Sequence, residues 1–341
     1  MHVQDHFVQL DLHNEIEHLQ IYLDLLFEVF LLCLFFSTNL IASNEGFARN
    51  GQVDIFYKDL GPAENTPVIL VMGLGGQLTY WPDYLLNFLI ESGYRPIIFD
   101  NRDVGLSTSF ESAGRPNVFL NYLKFYLNLP IKSPYSLDDM SNDIIAILDN
   151  LDIEKSHLIG MSMGGMISQH VLINNPNRFY SYTQIASMVK APDASTAPKG
   201  RLGELLRNRA GHSLSDEQRI DRAIEIYTLL GTGKENFNNP EFRQGVKKNI
   251  ERSPNDTGFS RQLLAIIADR ERINNIQKIT TPTLIIHGTL DPLIPISEGK
   301  RSHELIKNSS FIEIKDMGHL LSQEILEEFS EPLSQHLADN S

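Results

Sequence analysis

The chain has 341 residues, 42% of them hydrophobic and 21% charged, with one cysteine and a formal charge of −14. That length admits one large α/β domain or two small ones, and the apolar share excludes a disordered or collagen-like chain. A single cysteine excludes an internal disulfide framework and a cysteine-based zinc site. The acid excess argues against a nucleic-acid partner, whose phosphates need a basic footprint.

Residues 1–43 hold six acids and no Lys or Arg, which leaves −8 for residues 44–341. Within this extension residues 29–36 form an unbroken apolar run, shorter than the roughly 20 residues a membrane-spanning helix needs. The run suits the apolar part of a signal peptide with small residues at its exit, but the positive segment that normally precedes one is missing. Two readings stay open. Either 29–43 directs export or the protein is cytoplasmic; separately, residues 1–28 read also as sequence upstream of the native start, and 21–43 is the candidate for membrane contact.

From residue 44 strand and helix patterns alternate. Residues 53–57 alternate in hydrophobicity, and 67–72 form a continuous apolar run, as expected of a strand buried on both faces. Short runs at 96–99, 157–159, 182–186, 283–286 and 311–314 read the same way. Ser136 opens a helix, with Asp139 completing a capping box and Leu137, Met140, Ile144 and Ile147 on one face. A second helix follows Ser162 and stops near Asn175-Pro176. Strands alternating with helices imply a mostly parallel sheet covered on both faces. Residues 191–275 break the rhythm with helical patterns only, the best beginning at Ser215. This divides the chain into a core of 44–190 and 276–341 and a helical insert of 191–275 that is a candidate lid.

The chemistry falls at strand ends. Gly160-Met161-Ser162-Met163-Gly164 matches the G-x-S-x-G elbow, in which a serine sits on a strained strand-to-helix turn and bulkier flanking residues would collide across it. The apolar strand running in and the helix running out supply the context that the pentapeptide needs. Met72-Gly73-Leu74-Gly75-Gly76, after an earlier buried strand, fits neither a dinucleotide nor a phosphate loop. It is a candidate oxyanion loop, in which the amides of Leu74 and Met163 would face a developing negative oxygen. Of eleven histidines, His319 stands in a loop just past the last strand, whereas His157, His170 and His287 read as structural. Asp291 follows the strand at 283–286. The order Ser162, Asp291, His319 is the one this elbow favours. Asp100 and Asp103 read as loop-shaping residues and Asp316 as solvated.

Together the elbow, the stretch 99–107, residues 286–295 and Met317-Gly318-His319 resemble the α/β-hydrolase superfamily. Residues 71–82 are similar to its branch of aclacinomycin methylesterases and related small esterases. The resemblance runs from about 46 to 336. It departs at Met72, where many relatives have His, and at Asp103, where glycine is common. It implies an α/β-hydrolase fold: an eight-stranded, mostly parallel sheet with helices on both faces and a helical cap at 191–275. It further implies a serine hydrolase acting on a small to medium, largely apolar ester with no metal or organic cofactor, with Leu78, Trp81 and Met161 lining an apolar substrate site; the alternative for Trp81 is a place in the core. A carbon–carbon bond hydrolase, a cofactor-free perhydrolase or a non-catalytic ligand receptor on this fold are the alternatives.

Overall fold

The computed structural model describes residues 43–193, 195–207, 214–232, 234–253 and 257–341. The expectations for residues 1–42, including the apolar run and Cys33, lie outside the described residues. Eight strands form one sheet in the order β1-β2-β4-β3-β5-β6-β7-β8. They are β1 (Ser43–Asn50), β2 (Val53–Leu60), β3 (Thr66–Val71), β4 (Tyr94–Phe99), β5 (Ser156–Met161), β6 (Phe179–Ile185), β7 (Thr283–Gly288) and β8 (Ser309–Ile314). β1 and β2 pair antiparallel, as do β2 and β4, and every other neighbouring pair is parallel. This is the eight-stranded, mostly parallel sheet that the resemblance to α/β-hydrolases implies.

β1 is the strand that sequence patterning missed. Gly46, Arg49 and Asn50 interrupt its alternation, and it lies at the sheet edge, paired through one neighbour, so its side chains are not uniformly buried. Ser43, assigned above to the extension, is its first residue.

Alternation along the central strands sends side chains to two apolar layers. In β3, Ile69 and Val71 point to one layer and Val68 and Leu70 to the other. Helices α3 (Leu137–Asn150) and α4 (Met163–Asn174) cover the first layer, through Met140, Ile144, Ile147, Ile167 and Val171. Helices α1 (Asp83–Glu91) and α10 (Gln323–Ala338) cover the second, through Leu85, Leu89, Phe329 and Leu333. Helix α3 starts at the Ser136–Asp139 capping box, both of whose hydrogen bonds are present. A further helix, α2 (Val118–Tyr126), lies between β4 and α3.

Between β6 and β7 the described residues form four α-helices: α5 (Gly200–Arg207), α6 (Asp216–Leu230), α7 (Pro240–Arg252) and α8 (Gly258–Ala268). They are not equivalent. Ile220 and Ile224 of α6 and Val246 of α7 form a small cluster of their own, whereas Ala265 and Ile266 of α8 belong to the main core. α8 is thus built into the body of the molecule even though it falls within 191–275. α9 (Ile296–Leu305) packs between the last two strands and the surface.

His157 on β5 is fully buried, with Nδ1 2.8 Å from the Ser181 hydroxyl. Burial, together with the nearby His336 and Lys155, pushes its imidazole down to about 4. The unfolded chain takes up this proton as pH falls through about 6.5, while the folded protein resists until about 4. The stabilisation is therefore complete above pH 6.5 and lost on descending to pH 4. Urea denaturation should show about 3 kcal/mol of stability lost across that window. His157→Gln should flatten the decline, and an unchanged pH profile would refute the assignment.

Candidate active site

Ser162 occupies the turn between β5 and α4 with φ 55° and ψ −122°, left-handed backbone that a serine adopts only under constraint. The constraint is visible at its neighbours. A Cβ on Gly160 would lie 2.5 Å from the Ser168 hydroxyl and 2.7 Å from the Gly164 carbonyl oxygen. A Cβ on Gly164 would lie 1.9 Å from the carbonyl oxygen of Val71, at the end of β3. The Ser187 hydroxyl donates to the Ser162 carbonyl at 2.6 Å, and the Ser162 amide donates to Ile185 at 2.9 Å. The serine is locked from below while its side chain faces the loops above.

His319 Nε2 lies 3.0 Å from Ser162 Oγ, and His319 Nδ1 lies 2.7 Å from Asp291 Oδ2. The structure thus brings together the three residues picked out by their order and their strand-end positions. The Asp291 side chain is fully buried. Its other oxygen accepts the amides of Leu293 and Ile294, both at 2.8 Å. Burial acts to raise this carboxyl, but the His319 charge and hydrogen bond, with His287 and the Ile294 amide, outweigh it and hold the group below the ordinary carboxylate range. With the carboxylate ionised, Nδ1 of His319 is kept as the donor and Nε2 is left to receive a proton from the serine.

His287 stands 3.6 Å from the same carboxylate oxygen, yet it turns its Nε2 to the Ile294 carbonyl at 2.9 Å. Burial lowers its imidazole below the usual histidine range. It remains neutral and supports the loop, the structural part expected of it.

Residues 72–76 pack directly on the serine. A Cβ on Gly73 would lie 3.1 Å from Ser162 Cβ, a tight contact that a side chain there would relieve only by shifting the loop or the serine by a few tenths of an ångström. The loop is held on several sides. Asn101 Nδ2 donates to the Met72 carbonyl at 2.9 Å, the Gly75 amide donates to Gln262 at 2.8 Å, and Asp100 accepts the Leu78 amide at 2.8 Å. The Leu74 amide has no acceptor among the described residues. Met163 is the first residue of α4, where a helical amide has no partner in its own helix. Leu78 and Trp81 are buried with Met161 and Met72 in the second apolar layer.

Sequence reasoning missed Gln262, Ser187 and Leu230, whose carbonyl accepts the His319 amide at 2.8 Å. No motif marks them, since each acts from a distant segment. Asn101 had a signal, its place beside Asp100 at the end of β4. Asp103 explains its own departure from glycine. Its φ is 74°, a region that aspartate tolerates better than most residues, and its carboxylate is taken up by Arg261 at 2.7 and 2.8 Å and by the Tyr135 hydroxyl at 2.7 Å. Asp316 is half-exposed, 3.6 Å from Lys234.

A doubly wound sheet, a left-handed serine after its fifth strand and an acid and a histidine after its last two strands define a class. The chain belongs to the α/β-hydrolase fold family, whose model matches residues 66–324. It is similar to rhodomycin D methylesterase DnrP of Streptomyces peucetius, 22% identical over 306 residues that cover 84% of this chain and 96% of the relative. It is also similar to 3-oxoadipate enol-lactonase 2 of Acinetobacter baylyi, 25% identical over 80% of this chain and 88% of the relative. Among solved structures, an esterase from Exiguobacterium antarcticum superposes with a TM-score of 0.65 at 21% identity, covering 86% of this chain and all of its own. A meta-cleavage product hydrolase (CumD) from Pseudomonas fluorescens superposes with a TM-score of 0.66 at 20% identity, covering 87% and 98%. At such identities the structural likeness is one of fold.

Because Gly164 meets backbone rather than a movable side chain, Gly164→Ala should lower stability by about 2 kcal/mol or more, measured by urea denaturation. A variant as stable as the native protein would mean that the close approach to Val71 is not a constraint.

Proposed function

We propose that the protein is a serine hydrolase that cleaves a carboxylic ester of a small to medium, largely apolar molecule through an acyl-enzyme. The observation that carries this reading is the continuous relay from Ser162 Oγ through His319 to Asp291, at 3.0 and 2.7 Å. His319 accepts the serine proton as Oγ attacks the ester carbonyl, and Asp291 orients and electrostatically supports the imidazolium. His319 then returns the proton to the departing alkoxide. A water molecule, deprotonated by the same imidazole, releases the acid and restores the serine. None of these steps calls for a metal or organic cofactor.

The tetrahedral oxyanion would be received by the amides of Leu74 and Met163. Each such donor is worth about 3 kcal/mol of barrier. The fixing of the loop by Gln262, Asn101 and Asp100 supports this, because preorganised donors need not be arranged during the reaction. Leu78, Trp81 and Met161 would form the apolar wall of the substrate site. In support, the Trp81 indole nitrogen is buried without an acceptor among the described residues, a donor that a bound oxygen could satisfy. The methylesterase and enol-lactonase relatives, named for ester and lactone chemistry, favour ester cleavage over the carbon–carbon and perhydrolase alternatives.

Ser162→Ala should reduce hydrolysis of p-nitrophenyl butyrate by at least about a thousandfold, with native circular dichroism and loss of labelling by a fluorophosphonate probe. Retention of most activity in that variant would sink the assignment. A substrate panel of methyl esters, short acyl esters, lactones and a dienone with a cleavable carbon–carbon bond should show turnover concentrated on the esters.

A further inference from the structure

Six of the nine most exposed large apolar side chains among the described residues lie within one stretch of eleven: Phe119, Leu120, Leu123, Tyr126, Leu127 and Leu129. Helix α2 is apolar on both sides. Val118, Tyr122 and Phe125 are half-buried beside buried Asn121, while Phe119, Leu123, Tyr126 and the following Leu127 recur at helical spacing as an outward stripe. Phe119 alone is 81% exposed. Scattered apolar residues on a surface are ordinary, but a contiguous stripe of this kind marks a contact face.

The charge around the stripe is opposite to that of the chain. No acid occurs between Glu111 and Asp138, whereas Arg115, Lys124 and Lys132 do, in a protein of net −14. Arg270 adds a further cation at the base of the stripe. Its guanidinium stacks on the Phe125 ring at 4.7 Å and donates to the Lys124 and Leu129 carbonyls at 3.3 Å. Two copies meeting through this face would set Arg115, Lys124 and Lys132 against one another across a stretch, 112–137, that holds no acid, the exposed acid next to Arg270 being Glu271. An anionic surface would pair with all of them while receiving the apolar stripe.

We propose that α2 and the turn after it dock the protein onto a membrane surface bearing anionic lipids. Phe119, Leu123 and Leu127 enter the interface. The cations lie at headgroup level, with the lysine stems laid along the apolar boundary. The face is separate in sequence from 21–43, the segment that one reading of the sequence gives to membrane contact. It also lies close to the chemistry without being part of it. α2 packs on α8, and α8 holds the Gly75 amide through Gln262, so the docked face is one helix removed from the Ser162 loop. Docking does not depend on what Ser162 does.

The test is co-sedimentation of the full chain with large vesicles of phosphatidylcholine alone and with one third phosphatidylglycerol. The native protein should bind the anionic vesicles. The variant Phe119→Ser/Leu123→Ser/Leu127→Ser should bind them about tenfold less, with an unfolding midpoint within a few degrees of native. Arg115→Glu/Lys132→Glu should weaken binding to anionic vesicles several-fold and leave neutral ones unaffected. Absence of native binding, or equal binding by the serine variant because the extension alone anchors the chain, would overturn the proposal. So would a dimer in light scattering that the serine variant abolishes, since the stripe would then belong to a second copy.

Discussion

The close crossing of two backbones, the end of β3 at Val71 and the start of α4 at Gly164, is the constraint on which the site depends. There is no room for a single methyl group between them. Strand β5 must therefore turn abruptly into α4, and the residue at the corner is forced to a left-handed φ of 55°. The same crossing sets the chain after β3 against the serine, because residues 72–76 leave the sheet where α4 begins. Strain at Ser162, proximity of the Gly73 loop and the upward aim of the hydroxyl are one geometric fact seen from three sides. Its cost is met by the apolar layers on both faces of the sheet.

Around this corner the structure recruits residues from far along the chain. Gln262 and Arg261 on α8 hold, respectively, the loop after β3 and the loop after β4. Arg252 on α7 is 2.7 Å from the Asp100 carboxylate, which also accepts the Leu78 and Leu106 amides. The carbonyl of Leu230, at the end of α6, takes the His319 amide. The helices that follow β6 are therefore not only a cover. Their ends reach the loops that carry the oxyanion candidates and the histidine, so a change in their packing would be felt at the chemistry.

Much of this was legible in the sequence because the signals were local. Continuous apolar runs mark strands buried on both faces, and the paired glycines around Ser162 mark a turn where side chains do not fit. Asp291 and His319 stood out because each follows such a run in the order that the elbow favours. What was illegible had no local signal. β1 alternates poorly because an edge strand buries only part of itself. Gln262 looks like any polar residue on a helix. The apolar residues of α2 look like the buried face of a helix, and only their exposure reveals that they face outward.

The sequence by itself determined the buried strands from β2 to β8, the turn at Ser162 and the choice of Ser162, Asp291 and His319, because strand burial, glycine requirements and order along the chain are local signals. Only the tertiary structure decided that α8 belongs to the core, that Asp103 is held left-handed by Arg261, and that the α2 stripe is bare. Each of these depends on which distant surface comes to lie against a side chain, and spacing along the chain carries no record of that.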